Sequence, residues 1–227
     1  MEAWCDIHKA VFVLFAYLLG SIPFGLVLTR MFASKDVRKI GSGNIGATNV
    51  FRAAGSIPAA LTLAADALKG VVPVYIAGWF VFSSTFQKEV FLCTVAFAAF
   101  IGHLYPVFLR FKTGGKGVAT AAGCFILLCP WALSAGLLVF ILSLRLFGRV
   151  SVGSLAACAV IPIAVWAVSC SQAVAYFAAV TAIFIFIRHR DNIKRLREGK
   201  EPTFNFRIGP CNGRKNRSIR SKYRSGP

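Results

Sequence analysis

Negative charge is what this chain has least of: 8 Asp and Glu stand against 26 Lys and Arg in 227 residues. Charge of either sign makes up only 15% of it, while 57% is hydrophobic, which excludes an ordinary soluble composition. No Cys-x-x-Cys pair occurs among the 7 Cys, which fall mostly in apolar stretches. A thiol there is a small hydrophobe, so neither a metal site nor a disulfide framework is implied. The N-terminus lacks the form of a cleavable signal. Glu2 and Asp6 stand against Lys9 alone, and no small-residue cleavage site follows the first apolar run, so the segment is expected to stay as a membrane helix.

Three reaction signatures are missing too. The residues five places after His8, His103 and His189 are Val13, Phe108 and Lys194, so no His-x-x-x-x-Asp pair exists. Ser42 has Ile40 and Asn44 where a nucleophile elbow needs glycines, which argues against a covalent serine mechanism. Around Gly115-Lys116, Arg110 takes the place of the first P-loop glycine and Gly117 that of its Ser/Thr, which disfavours a nucleoside triphosphatase.

What the chain does have is long charge-free runs: residues 10–29, 70–87, 90–109, 117–144 and 150–187. Each reaches or approaches the roughly 20 residues a spanning helix needs. The fourth is too long for one crossing and is expected to turn at Cys129-Pro130, the fifth at Ser169 to Gln172. Segment 53–82 adds one interrupted span containing Asp66 and Lys69. The expected fold is an all-α bundle of seven transmembrane helices over residues 1–206, followed by a basic tail over 207–227. Basic residues cluster in alternate connections: Arg30, Lys35, Arg38, Lys39 and Arg52 in the first, then Arg110, Lys112 and Lys116, then Arg145 and Arg149. The intervening connections are nearly bare, so the N-terminus is expected outside and the C-terminus in the cytoplasm. Half of the basic residues lie from Arg188 onward. A juxtamembrane tail such as Asn212 to Tyr223 suits anionic membrane lipids better than nucleic acid.

Three polar islands interrupt this pattern on one side. In "GSGNIGATNVFR", Gly41, Gly43 and Gly46 allow backbone shapes that present N–H groups to an anion. Ser42, Asn44, Thr48 and Asn49 add side-chain donors, and Arg52 a planar cationic fork that matches a phosphate. A capped turn with a positive-inside arginine is the bland alternative. In the second island Gly114, Gly115, Lys116 and Gly117 lead straight into an apolar helix, so amides, helix dipole and ammonium converge on one point. In the third, "RHRDNIKRLREGKEP", a continuing helix would put His189 and Asn192 on one face, while its Arg and Lys residues suit a snorkelling helix end. Asp66 and Lys69, three apart, suit an ion pair inside the membrane or the lining of a site. His103 suits a hydrogen-bonded structural role.

"GSGNIGATNVFRAAG", "GHLYPVFLRFKTGGKGVAT" and "RHRDNIKRLREGKEP", in this order and joined by "DALKG" at Asp66 to Gly70, resemble the signature loops of the bacterial acyl-phosphate-dependent glycerol-3-phosphate acyltransferases. The resemblance runs from about Ala10 to Phe206 and leaves the basic tail unexplained. It implies an inner-membrane enzyme of seven helices with its loops at the cytoplasmic face. Such an enzyme moves an acyl group from fatty acyl phosphate to glycerol 3-phosphate, without a cofactor. It also implies that Ser42, Arg52, Lys116, His189 and Asn192 surround the substrate phosphates, and that Glu201 secures the site. With a mixed anhydride as donor, phosphate is already a good leaving group. The expected mechanism is therefore positioning of two anions, the 114–117 loop taking the acyl phosphate and the other two islands glycerol 3-phosphate. A transporter of a phosphorylated anion is the rival class; it predicts polar groups spread through the membrane depth.

Overall fold

The computed structural model describes residues 2–80, 85–112, 114–168 and 171–204. Thr113, the predicted turn residues Ser169 and Cys170, and the tail from 207 lie outside the described residues. Among those described there are ten α-helices and no strand. They are α1 (Glu2–Ser21), α2 (Phe24–Ala33), α3 (Ala47–Ala54), α4 (Ser56–Phe80), α5 (Thr85–Leu104), α6 (Val118–Leu128), α7 (Pro130–Phe147), α8 (Val150–Ala167), α9 (Gln172–Arg188) and α10 (Arg190–Arg197).

The breaks have local causes. Pro23, which cannot donate to the preceding turn, separates α1 from α2. Pro130 begins α7, the first-turn position that proline tolerates best, and Gly148, at a φ of 63°, ends it. Ser171 caps α9 by accepting from the Val174 amide. The expected turn at Cys129-Pro130 is there. One expectation fails: Cys129 is disulfide-bonded, to a partner outside the described side chains. Spacing could not show this, because a bridge depends on which parts of the chain the fold brings together.

Seven apolar segments are helical, yet not all are long enough to cross. Ile7–Ala33, Ser56–Phe80, Phe86–Leu109, Pro130–Phe147 and Val150–Ala167 have the length and composition of spans, and α9 with α10, bent by 58°, makes a sixth. Helix α6 has 11 residues, which at 1.5 Å per residue covers about half of a ~30 Å hydrocarbon core. The expected seven full spans thus become five or six among the described residues.

Helix α5 is central: Val95, Ala96, Ala99, Phe100 and Leu104 are all fully buried. Helices approach through small residues, as membrane bundles do. A side chain at Gly20 would overlap the Ala99 carbonyl of α5, and one at Gly70 the Thr120 carbonyl of α6. Outward faces stay apolar. Trp79, Phe80, Trp131, Trp166 and Tyr176 are all more than 60% exposed and lie where α4 ends, α7 begins, α8 ends and α9 begins, a ring of the kind that settles at a membrane–water interface. The polar islands occupy the opposite ends of these helices.

Candidate active site

The first island is a loop held by one side chain. Asn49, buried on α3, donates through Nδ2 to the carbonyls of Val37 (3.0 Å), Ile40 (2.9 Å) and Asn44 (2.9 Å). Its Oδ1 accepts from the Ser42 amide at 3.2 Å. The Gly46 amide donates to Asn44 Oδ1 at 2.7 Å, and the Gly43 amide to the Ile40 carbonyl. The loop therefore does not present consecutive free amides, and Asn49 is a clasp rather than a substrate donor. Gly41, at a φ of 56°, leaves room for Asn49 and for the arm of Arg52. Arg52 carries no hydrogen bond or ion pair to any described residue. Thr48 stands half-buried in the first turn of α3.

The second island is pinned from two sides. The Gly115 amide donates to the His103 carbonyl at 3.0 Å. Arg188, at the end of α9, donates through Nη2 to the Gly114 carbonyl at 2.6 Å and through Nε to the Gly115 carbonyl at 3.1 Å. Gly115 thus offers no amide to a ligand, contrary to expectation. Gly117, at a φ of 82°, starts α6, and a side chain there would overlap Phe100 and Leu104.

What joins the islands is a relay of side chains. Lys116 Nζ donates to Asn192 Oδ1 at 2.5 Å, Asn192 Nδ2 donates to Glu201 Oε1 at 2.6 Å, and Arg195 Nε donates to Glu201 Oε2 at 2.8 Å. Arg149 donates to the Glu201 carbonyl at 3.2 Å. Glu201 is consumed in aiming Asn192 at Lys116, so it supports the site rather than lining it. Burial would raise its carboxyl, but the hydrogen bonds it accepts, that from Asn192 first among them, hold it below its ordinary value.

A cleft of about 220 Å³ opens between the three islands, lined by Ser42 and Asn44 from the first, Lys116 from the second and Asn192 from the third. Arg188, Arg190, Arg195, Asp191, Ile187 and Tyr105 complete its wall. Arg52, Thr48 and His189 are not part of that wall. Four cations against one carboxylate make the cleft a place for an anion. Burial, with the charges of Arg195 and Arg52 adding to it, brings Lys116 down to about 8, though Glu201 pulls the other way. His189 is the joint between α9 and α10, not part of one continuous helical face. Its Nδ1 faces the Ile185 carbonyl at 2.8 Å, and burial together with the neighbouring Lys116 lowers it to about 4. The ring is neutral at pH 7; with Nδ1–H on that carbonyl, Nε2 is an acceptor.

Sequence reasoning missed Arg188, Arg195 and Tyr105. Arg195 lies three residues after Asn192, so helical spacing was a usable signal; Arg188 acts through loop carbonyls, which leave no trace in a motif. A family model described as glycerol-3-phosphate acyltransferase matches residues 10–199. The chain belongs to the glycerol-3-phosphate acyltransferase family. The family members named glycerol-3-phosphate acyltransferase from Syntrophotalea carbinolica and from Anaeromyxobacter sp. strain K are 47% and 46% identical, over 194 and 199 residues. The alignments cover 86% of this chain in each case, and 96% and 97% of those relatives. A crystal structure of PlsY (YgiH), an integral membrane glycerol 3-phosphate acyltransferase in its glycerol 3-phosphate form, superposes with a TM-score of 0.80 at 36% identity, covering 87% of this chain and 96% of that one. Its lysophosphatidic acid form gives 0.78 at 35%.

Proposed function

We propose that this protein transfers a fatty acyl group from acyl phosphate to glycerol 3-phosphate, forming 1-acyl-glycerol 3-phosphate and inorganic phosphate. The observation that carries the reading is the Lys116–Asn192–Glu201 relay, which locks two of the islands together around a cationic cleft faced by the third. The printed names of the relatives and of the two PlsY forms support the acceptor and product. The Asp66–Lys69 ion pair deep in α4 is buried, with His103 against the same carboxylate oxygen, so it lines no transport path.

Two phosphate groups must be held together for this reaction. At about 5 Å and an effective dielectric near 20, each pair of unit charges repels by roughly 3 kcal/mol, and two dianions multiply that about fourfold. Lys116, Arg52 and the arginines of the cleft offset it. Lys116 and the start of α6 take the acyl phosphate head; Ser42, Asn44, Arg52, His189 and Asn192 take glycerol 3-phosphate. The glycerol hydroxyl attacks the acyl carbonyl, a new C–O bond forms, and the anhydride C–O bond breaks with its electrons going to phosphate. The hydroxyl proton goes to a substrate phosphate oxygen, whose pKa near 6 makes it a better acceptor than His189 at about 4. Alignment of the reacting groups supplies on the order of 7 to 11 kcal/mol.

The acyl chain has its own place. An apolar slot between α6, α7, α8 and α9 begins at Val118, one residue from the glycine loop, and passes Ala121 and Phe125 to Leu133 and Gly136. The head thus sits in the polar cleft while the chain lies among helices. Each connection bearing a polar island meets the same cleft, so the chain makes one passage and then three returning pairs, α4–α5, α6–α7 and α8–α9, the short α6 closing its pair. That count is odd, which sets the N-terminus opposite the site, and the basic residues of the island-bearing connections support a site at the cytoplasmic face of the inner membrane with the N-terminus outside. The disulfide at Cys129, at the end of the bundle away from the islands, is a bond of oxidising compartments and supports this orientation. Purified protein given palmitoyl phosphate and glycerol 3-phosphate should release lysophosphatidate and phosphate in equal amounts. Product from palmitoyl-CoA alone would reject the donor.

A further inference from the structure

Beneath the glycine loop lies a charged cluster that the reaction does not use. Asp66, Lys69 and His103 are 3%, 2% and 5% exposed. Lys69 Nζ stands 2.8 Å from Asp66 Oδ1 and 5.1 Å from the centre of the Phe24 ring. Stability is a poor reason to bury such a pair, since apolar residues of the same volume would commonly do as well. The cluster's position suggests another reason. His103 Nδ1 is 3.6 Å from the same carboxylate oxygen, too far for a hydrogen bond, and finds no partner. On its other edge the imidazole lies against Gly115, where a side-chain methyl would overlap Nε2. The His103 carbonyl holds the Gly115 amide, and the Thr120 hydroxyl, one turn into α6, holds the Asp66 carbonyl at 2.8 Å. The ring is therefore wedged between a carboxylate and the residue that precedes Lys116.

We propose that Asp66 and His103 are positioning residues. The carboxylate, neutralised by Lys69, places the His103 ring, and the ring is the floor on which Gly115 rests, so the buried cluster sets where the Lys116 ammonium stands. This rests on the assignment of Lys116 to the acyl phosphate head. His103 touches neither substrate; it acts through Gly115.

The proposal separates from a merely structural role in three readouts. His103→Ala and Asp66→Asn should lower kcat/KM for acyl phosphate on the order of 10- to 100-fold, the scale of a misplacement of about 1 Å, while the KM for glycerol 3-phosphate stays put and His103→Gln recovers part of the loss. Equal effects on both substrates, or a loss of active protein with both KM values unchanged, would overturn it. Gly115→Ala should be damaging because of the ring, so Gly115→Ala with His103→Ala should be more active than Gly115→Ala alone; a double variant no better than the single would contradict the collision. The third readout needs no substrate. Modification of Lys116 by acetic anhydride, followed by mass spectrometry, should speed up several-fold in His103→Ala and in Asp66→Asn, and an unchanged rate in both would refute the placement of Lys116 even if wild type used other substrates. A wild-type protein inactive with acyl phosphate would reject the functional reading and leave that labelling result standing.

Discussion

Glu201→Gln tests the relay by its electrostatics. Asn192 bridges the carboxylate to Lys116, which separates the charges by about 6 Å; at an effective dielectric near 20 their attraction is about 3 kcal/mol, or about two pH units. Lys116 stands at about 8 with Glu201 present. Removing the anion favours the neutral amine, so the ammonium should persist only below roughly pH 6 to 7. Since kcat/KM reports groups of the free enzyme, its alkaline limb should slide down from about 8 by one to two units, and at pH 8 the variant should lose about 5- to 50-fold. The assay is initial-rate phosphate release in detergent from mildly acidic to alkaline pH. A limb that stays at 8 while the rate drops by one factor at every pH would refute the electrostatic coupling and leave Glu201 as a packing residue.

Other outcomes follow from the same geometry. Asn49→Ala strips the first island of its clasp and should cost about 2 to 3 kcal/mol, seen as a fall in Tm of about 5 to 10 °C; an unchanged Tm would return Asn49 to the list of substrate donors. His189→Ala should weaken glycerol 3-phosphate binding yet keep the acid limb near pH 6 that belongs to the substrate phosphate. If that variant binds normally and loses turnover together with the limb, His189 is the base. Gly136→Leu should block the slot between α6 and α9, cutting kcat/KM for palmitoyl phosphate on the order of tenfold or more relative to octanoyl phosphate, at about 0.8 kcal/mol per methylene left unburied. Equal losses for both donors would place the acyl chain elsewhere.

The all-helical class, the turn at Cys129-Pro130 and the place of the three islands in the chain were legible because hydropathy, Pro, Gly and charge bias act locally. Pro130 starts α7 at the expected turn, and Asp66 and Lys69 pair as their spacing implies. Span length was legible only through its punctuation: hydropathy runs unbroken from Gly117 to Leu144, and it is the turn at Cys129-Pro130 that leaves α6 only 11 residues, too few for the full span the expected count gave it. The division of labour inside the loops was the least legible. Ser42, Asn44, Lys116 and Asn192 line the cleft as expected, but Asn49 and Glu201 spend their hydrogen bonds on neighbours, and the Gly115 amide on the His103 carbonyl. Composition cannot say whether a donor faces a ligand or its own backbone, because that depends on how the loop closes on itself, as with Asn49 and Val37, and on partners far along the chain, as with Arg188 and Gly114.

The central claim is that three separate stretches of chain bring their cationic and amide groups to one face of one membrane. Single cysteines at positions 52, 116 and 192, in a background without other reactive thiols, can be probed with a charged maleimide on sealed inner-membrane vesicles of either orientation. All three should label when the cytoplasmic face is outward and be protected when it is inward. Labelling of 52 and 116 from opposite sides would contradict the account outright.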